Sequence, residues 1–121
     1  MADPTKILWQ VAFYGREGMP ATFPYSFENR HRGSVGHCVF QIVEAGQVEI
    51  RDIKGYWHLA NPGHAFIFRN GDHSAYRFPA GNRLPYITQW IDLEGAGLIE
   101  HWDALLMTAC PVVPVRRPST P

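Results

Sequence analysis

Along most of the chain, apolar positions recur with the two-residue period of strands, and turn signals punctuate them. Residues 38–44 make the first clear run, closed by Ala45-Gly46. Over 47–52, Val48 and Ile50 fall on one face while Gln47, Glu49 and Arg51 fall on the other. Ile53-Lys54-Gly55 turns the chain into a strand over 56–60. Asn61-Pro62-Gly63 then suits a type II turn, because proline fixes φ and glycine accepts a positive one. Further strands are predicted over 65–69, 74–78 and 86–93, separated by Asn70-Gly71-Asp72 and by a Pro/Gly loop over 79–85. Upstream, 7–14 reads as a strand, and proline confines 23–27 to a sheet edge. After Glu94-Gly95-Ala96-Gly97 the period changes. Leu98, Ile99, Trp102, Leu105 and Leu106 recur at helical spacing, which predicts one short amphipathic helix over 98–107.

Strands spaced roughly 8–12 residues apart with glycine-bearing turns argue for a sandwich or barrel. The expected fold class is therefore all-β with a short C-terminal helix. A chain of 121 residues has room for one such core. Residues 111–121 hold four prolines and two arginines, the composition of a linker or tail. The organisation expected is a domain over 1–110, with an N-terminal arm over about 1–29, followed by that tail.

Charge narrows the function. Eleven basic and eleven acidic side chains cancel, so the basic surface of a nucleic-acid-binding domain is not expected. The N-terminus, Met-Ala-Asp-Pro-Thr-Lys, lacks the basic start and apolar run of a signal peptide. No stretch approaches the roughly 18 apolar residues of a membrane span. The location expected is cytoplasmic, with no membrane partner. Cys38 and Cys110 form neither a CxxC pair nor a spaced framework, and are expected to be two buried thiols in a reducing compartment.

Catalytic patterns are weak. The six histidines, His31, His37, His58, His64, His73 and His101, form no HxH, HxxxH or HExxH. A metal site assembled from separate strands would draw on His37, Glu44 and His73; that is the residue basis of the alternative reading, a metal-dependent enzyme such as an isomerase or dioxygenase. Ser26, Ser34, Ser74 and Ser119 lie in no GxSxG elbow, and Gly95-Ala96-Gly97 reads as a helix entry rather than a phosphate loop. No enzymatic activity, metal or cofactor is expected.

The strand over 86–93 is more informative. Ile87, Ile91 and Leu93 share one face with Gln89, whereas Tyr86, Thr88, Trp90 and Asp92 share the other. Flat amphipathic rings mixed with hydrogen-bonding groups are the composition of a small-molecule pocket, which Tyr76 on the preceding strand could join. On pattern alone, Trp90 and Tyr76 serve equally well as plain core aromatics.

The order of motifs resembles the N-terminal sensor domain of AraC-type transcription regulators. The similar segments are Phe40-Gln41-Ile42-Val43-Glu44-Ala45-Gly46-Gln47-Val48-Glu49, then Tyr56-Trp57-His58-Leu59-Ala60-Asn61-Pro62-Gly63-His64-Ala65-Phe66-Ile67-Phe68. Gly71-Asp72-His73-Ser74-Ala75-Tyr76-Arg77-Phe78-Pro79 and Tyr86-Ile87-Thr88-Gln89-Trp90-Ile91-Asp92-Leu93-Glu94-Gly95 follow in the family's order. Arg30-His31-Arg32 and His37-Cys38-Val39-Phe40-Gln41 are similar to one branch. The likeness runs from about Arg30 to Leu106. It departs at His64, where the family has aspartate, and at His73, which stands one place earlier than the family's histidine.

This resemblance implies a cupin-like double-stranded β-helix barrel that binds a small polar effector, often a sugar. It implies ligand contacts at Arg30 or His31, Tyr76, Thr88 and Trp90, with the arm around 13–23 covering the pocket mouth. It also implies a regulator that acts as a homodimer and touches DNA only through a helix-turn-helix domain, which these residues do not contain.

Overall fold

A computed structural model describes residues 9–115. Among them the chain forms β1 (Trp9–Met19), β2 (Ser26–Glu28), a 3-10 turn (Asn29–His31), β3 (Cys38–Ala45), β4 (Val48–Arg51), β5 (Trp57–Ala60), β6 (His64–Arg69), β7 (Ala75–Arg77), β8 (Tyr86–Gly95), α1 (Leu98–Thr108) and β9 (Val112–Pro114). All pairings are antiparallel, in one sheet ordered β1-β8-β3-β6-β9 and a second ordered β2-β7-β4-β5. From β5 to β8 the chain alternates between the sheets, so successive strands wrap around one core. The strand rhythm predicts such a mainly β closure, and the alternation between sheets is that of the cupin-like double-stranded β-helix the family resemblance implies.

Alternation along each strand decides what the core receives. β4 sends Val48 and Ile50 inward, β3 sends Val39 and Val43, and β6 sends Phe66 and Phe68; all are buried. Tyr25, Tyr76 and Tyr86 complete the cluster, their rings packed at tilted angles about 5 Å apart. At the β3–β4 turn Gly46 takes φ +83°, and a Cβ there would lie 2.5 Å from the Pro85 carbonyl oxygen. Only glycine meets both demands.

The helix lies against β6, where Ala65 and Ile67 face away from the core. Leu98 and Leu106 are its buried residues, the Trp102 indole donates to the Phe68 carbonyl (3.1 Å), and Asp103 pairs with Arg69 (2.8 Å). Of the apolar stripe read from the sequence, Ile99 and Leu105 remain partly exposed.

Three details differ from the sequence reading. Val112–Pro114 pair with β6 rather than serving as linker: the valines favour a strand, and an edge position tolerates the proline. The rest of the expected tail, 116–121, lies outside the described residues, as do residues 1–8 of the arm and the start of the strand expected over 7–14. The arm expected over about 1–29 supplies a longer strand than the one read there, with β1 paired to β8 from Trp9↔Gly95 to Met19↔Tyr86. Finally, of the two free cysteines only Cys38 is buried; Cys110 is exposed just beyond the end of α1.

Candidate functional site

A cavity of about 270 Å³ opens between the two sheets. One wall is the inner face of β8, which presents Trp90 and Asp92, with Glu17 beside them from β1. β3 adds Val39 and Gln41, and β6 leads into Phe68 and Asn70. The second sheet contributes Phe27 and Tyr76, and the segments flanking β2 contribute Tyr25 and Arg32. Register explains the grouping: Gln41 stands opposite Trp90, and Val39 stands opposite both Asp92 and Phe68.

Arg32 is the one cation of this lining. Its guanidinium lies over the rings of Phe27, Tyr76 and Phe68, with centroid distances of 5.0, 5.3 and 5.4 Å. Its Nε donates to Asn29 Oδ1 (2.9 Å), and among the described residues it makes no ion pair. Asn29, fully buried, donates from Nδ2 to Ser74 Oγ (2.9 Å), and the Ser74 hydroxyl donates to Asp72. The second Asp72 oxygen accepts from the Arg69 backbone N–H (3.0 Å). Arg32 is thus aimed by a relay anchored in the β6–β7 loop, while the N–H groups of its fork stay available.

On the opposite side Asp92 meets His37, whose Nδ1 lies 2.8 Å away, and Glu94 lies 3.1 Å from His37 Nε2. Burial raises the Asp92 carboxyl above its ordinary range, against the pull of His37. Gln41 Nε2 donates to the hydroxyls of Tyr25 (3.0 Å) and Tyr86 (3.4 Å). Burial raises both phenols, so they stay neutral donors. Asn70 Oδ1 is buried with no hydrogen-bond partner, although its Nδ2 reaches the Ser34 carbonyl (3.4 Å). A buried acceptor left unpaired costs about 1–3 kcal/mol.

Of the residues read from the sequence, the structure brings Tyr76 and Trp90 together on this cavity. Thr88 lies on the same face of β8, fully buried, but its hydroxyl is spent on the Ile42 carbonyl (2.9 Å). Arg30 and His31 are exposed; the next residue, Arg32, lines the cavity instead. The signal for Arg32 was its i, i+3 spacing from Asn29 across a single turn. Gln41 also had a signal, a polar residue between Val39 and Val43 on an apolar face.

The residues of the metal alternative are placed apart from one another. His37 is engaged by Asp92 and Glu94, Glu44 by Arg16 and Gln89, and His73 is exposed. Among the described residues no three His, Cys, Asp or Glu side chains converge as metal ligands.

Comparison with known proteins gives a family and a fold. The model of the AraC-like ligand binding domain matches residues 11–120. No curated protein matches the chain. The crystal structure of the protein YhaK from Escherichia coli is similar to 95% of this chain, with a TM-score of 0.60 and 15% identity. The match covers 47% of YhaK, so this chain spans about half its length. A Cupin_2 domain of an XRE family transcriptional regulator from Enterobacter cloacae matches 70% of this chain and 93% of its own, with 16% identity and a TM-score of 0.46.

Proposed function

This chain belongs to the AraC-like ligand-binding domain family, and from that premise we propose that it is the non-enzymatic, effector-sensing part of a transcription regulator whose effector is a small saccharide. The observation that carries the reading is the pairing of aromatic walls with unspent polar groups. Trp90, Tyr76 and Phe27 supply aromatic rings to the lining, while the Arg32 fork offers donors that no described residue takes and the Asp92 carboxylate offers an acceptor. A sugar has the matching chemistry: C–H faces that lie on rings and hydroxyls that both donate and accept. The volume of about 270 Å³ is at the small end for ligand pockets, which suits a monosaccharide.

In this reading Arg32, Tyr76, Trp90 and Asp92 contact the effector. Residues 1–110 form the sensing unit, with β9 added to its first sheet. Contact with DNA falls to a helix-turn-helix domain outside these residues, and the regulator works in the cytoplasm as a homodimer.

The test is thermal unfolding of the chain against a panel of saccharides, polyols and sugar acids. A ligand at one hundred times its Kd stabilises the fold by about 2.7 kcal/mol, and Trp90→Ala is expected to abolish the shift. A panel in which no saccharide raises Tm, or a shift that Trp90→Ala leaves intact, overturns the saccharide assignment to this cavity.

A further inference from the structure

Away from the cavity, two segments 52 positions apart in sequence bring a thiol, an imidazole and a carboxylate into line. Cys110 Sγ lies 3.6 Å from His58 Nδ1, and His58 Nε2 lies 2.8 Å from Asp52 Oδ2. We propose that Cys110 is a nucleophilic thiol, with His58 as its base and Asp52 orienting that base, and that it is a site of exchange with small-molecule disulfides.

The turn between β4 and β5 fixes the order of the three groups. Asp52 Oδ1 accepts the backbone N–H groups of Lys54 and Tyr56, both at 2.9 Å. Burial works to raise the Asp52 carboxyl, but the His58 hydrogen bond and these two backbone donors outweigh it and hold the group below its ordinary value. The ionised carboxylate has no proton to give, so His58 donates from Nε2. Its Nδ1 lone pair is then directed at the sulfur, the nucleophile–base–orienter arrangement that activates a thiol.

The frame around the pair is rigid on both sides. His58 is held in β5 opposite Ile50 of β4. Cys110 is held between the end of α1 and β9, and the Lys54 ammonium donates to the Met107 carbonyl (3.2 Å), tying the helix end to the same turn. Among the described residues, the charged and titratable groups of these elements are therefore His58 of β5 and Asp52 and Lys54 of that turn. The last turn of α1 and β9 carry none.

Accessibility separates the two cysteines. Cys110 is exposed, whereas Cys38 is fully buried and its thiol is pushed up to about 12 by that burial. In the exchange, the Cys110 proton passes to His58 Nδ1 and the thiolate attacks one sulfur of the disulfide. A new S–S bond forms, the old one breaks, and the departing thiolate takes the proton back from the imidazolium, leaving a mixed disulfide on Cys110.

The test follows adduct formation with glutathione disulfide and, separately, iodoacetamide, from pH 5 to 10, by mass spectrometry of the full chain and its peptides. The native protein is compared with the urea-unfolded chain, whose thiols serve as the free-cysteine reference near pKa 8.5. The expected result is labelling at Cys110 alone in the native state, at pH 7 about threefold faster than the cysteines of the unfolded chain, because the base beside the sulfur takes its proton as it attacks. His58→Gln is expected to bring the rate back to the unfolded value, and Asp52→Asn to place it between the two. Equal rates for native and unfolded wild-type chain, or labelling of Cys38 ahead of Cys110, overturn the proposal.

Discussion

The indole of Trp90 lies over Gly15: a Cβ built on that glycine would sit 2.5 Å from Cζ2 and 2.6 Å from Cη2 of the ring. The two residues are cross-strand partners in β8 and β1. The missing side chain is thus what lets the ring occupy its place in the cavity wall, so β1 shapes the pocket. Gly15→Ala is expected to push the ring aside and to destabilise the fold by about 1–3 kcal/mol, the usual cost of overpacking. Urea unfolding measures the loss, and near-UV circular dichroism reports the displaced indole. Unchanged values of both would mean that Trp90 does not depend on that space.

Arg32 offers a sharper test of the pocket. Lysine would keep the charge but lose the planar group that stacks on three rings and the Nε that meets Asn29. Arg32→Lys is expected to weaken effector binding about tenfold or more, equivalent to ~1.4 kcal/mol, as measured by calorimetric titration. An affinity within a factor of two of wild type would remove Arg32 from the binding set.

Asn29 touches no part of the cavity, yet it aims Arg32 and holds Ser74. Asn29→Ala leaves buried Ser74 and half-buried Arg32 without their hydrogen bonds to it, which is expected to cost about 1–3 kcal/mol. Effector affinity should fall alongside stability, since the guanidinium loses its anchor. Binding that is unaffected in a folded Asn29→Ala protein would show that the relay serves stability alone.

The parts of the molecule legible in the sequence are those with a strict period. Val48 and Ile50 announced β4, and the alternation of Tyr86, Thr88, Trp90 and Asp92 announced the inner face of β8, where the structure places all four. Periodicity could not say which of Arg30, His31 and Arg32 faces inward, because one 3-10 turn sets their phase and its geometry depends on Asn29 meeting Ser74 across 45 residues. Thr88 shows the complementary difficulty. Its face was correct, but its hydroxyl bonds to a neighbouring strand's carbonyl, and no local pattern records that. Asn70 and the Cys110–His58 contact are likewise products of tertiary closure.

Alkaline pH tests the core directly, because three buried groups shift in the same direction. Burial raises the phenols of Tyr25 and Tyr86, with a further contribution to Tyr25 from Tyr86, and burial pushes the Cys38 thiol up to about 12. In the unfolded chain these groups ionise near their ordinary values of about 10 for tyrosine and about 8.5 for cysteine. Above those values the unfolded chain binds fewer protons than the folded one, so stability must fall as pH rises. Cys38 alone gives a slope of about 1.4 kcal/mol per pH unit from roughly pH 8.5, Tyr25 adds about the same again above roughly pH 10, and Tyr86 adds to it in the same direction. Tyr25→Phe should remove the Tyr25 part of that slope while costing about 1 kcal/mol at neutral pH, where Gln41 loses one of its acceptors. Urea unfolding at intervals from pH 7 to 11 measures both effects. A slope for Tyr25→Phe equal to that of the wild type would mean that the Tyr25 phenol ionises within the folded protein, and so that the close packing of Tyr25 against Tyr76 and Tyr86 does not persist in solution.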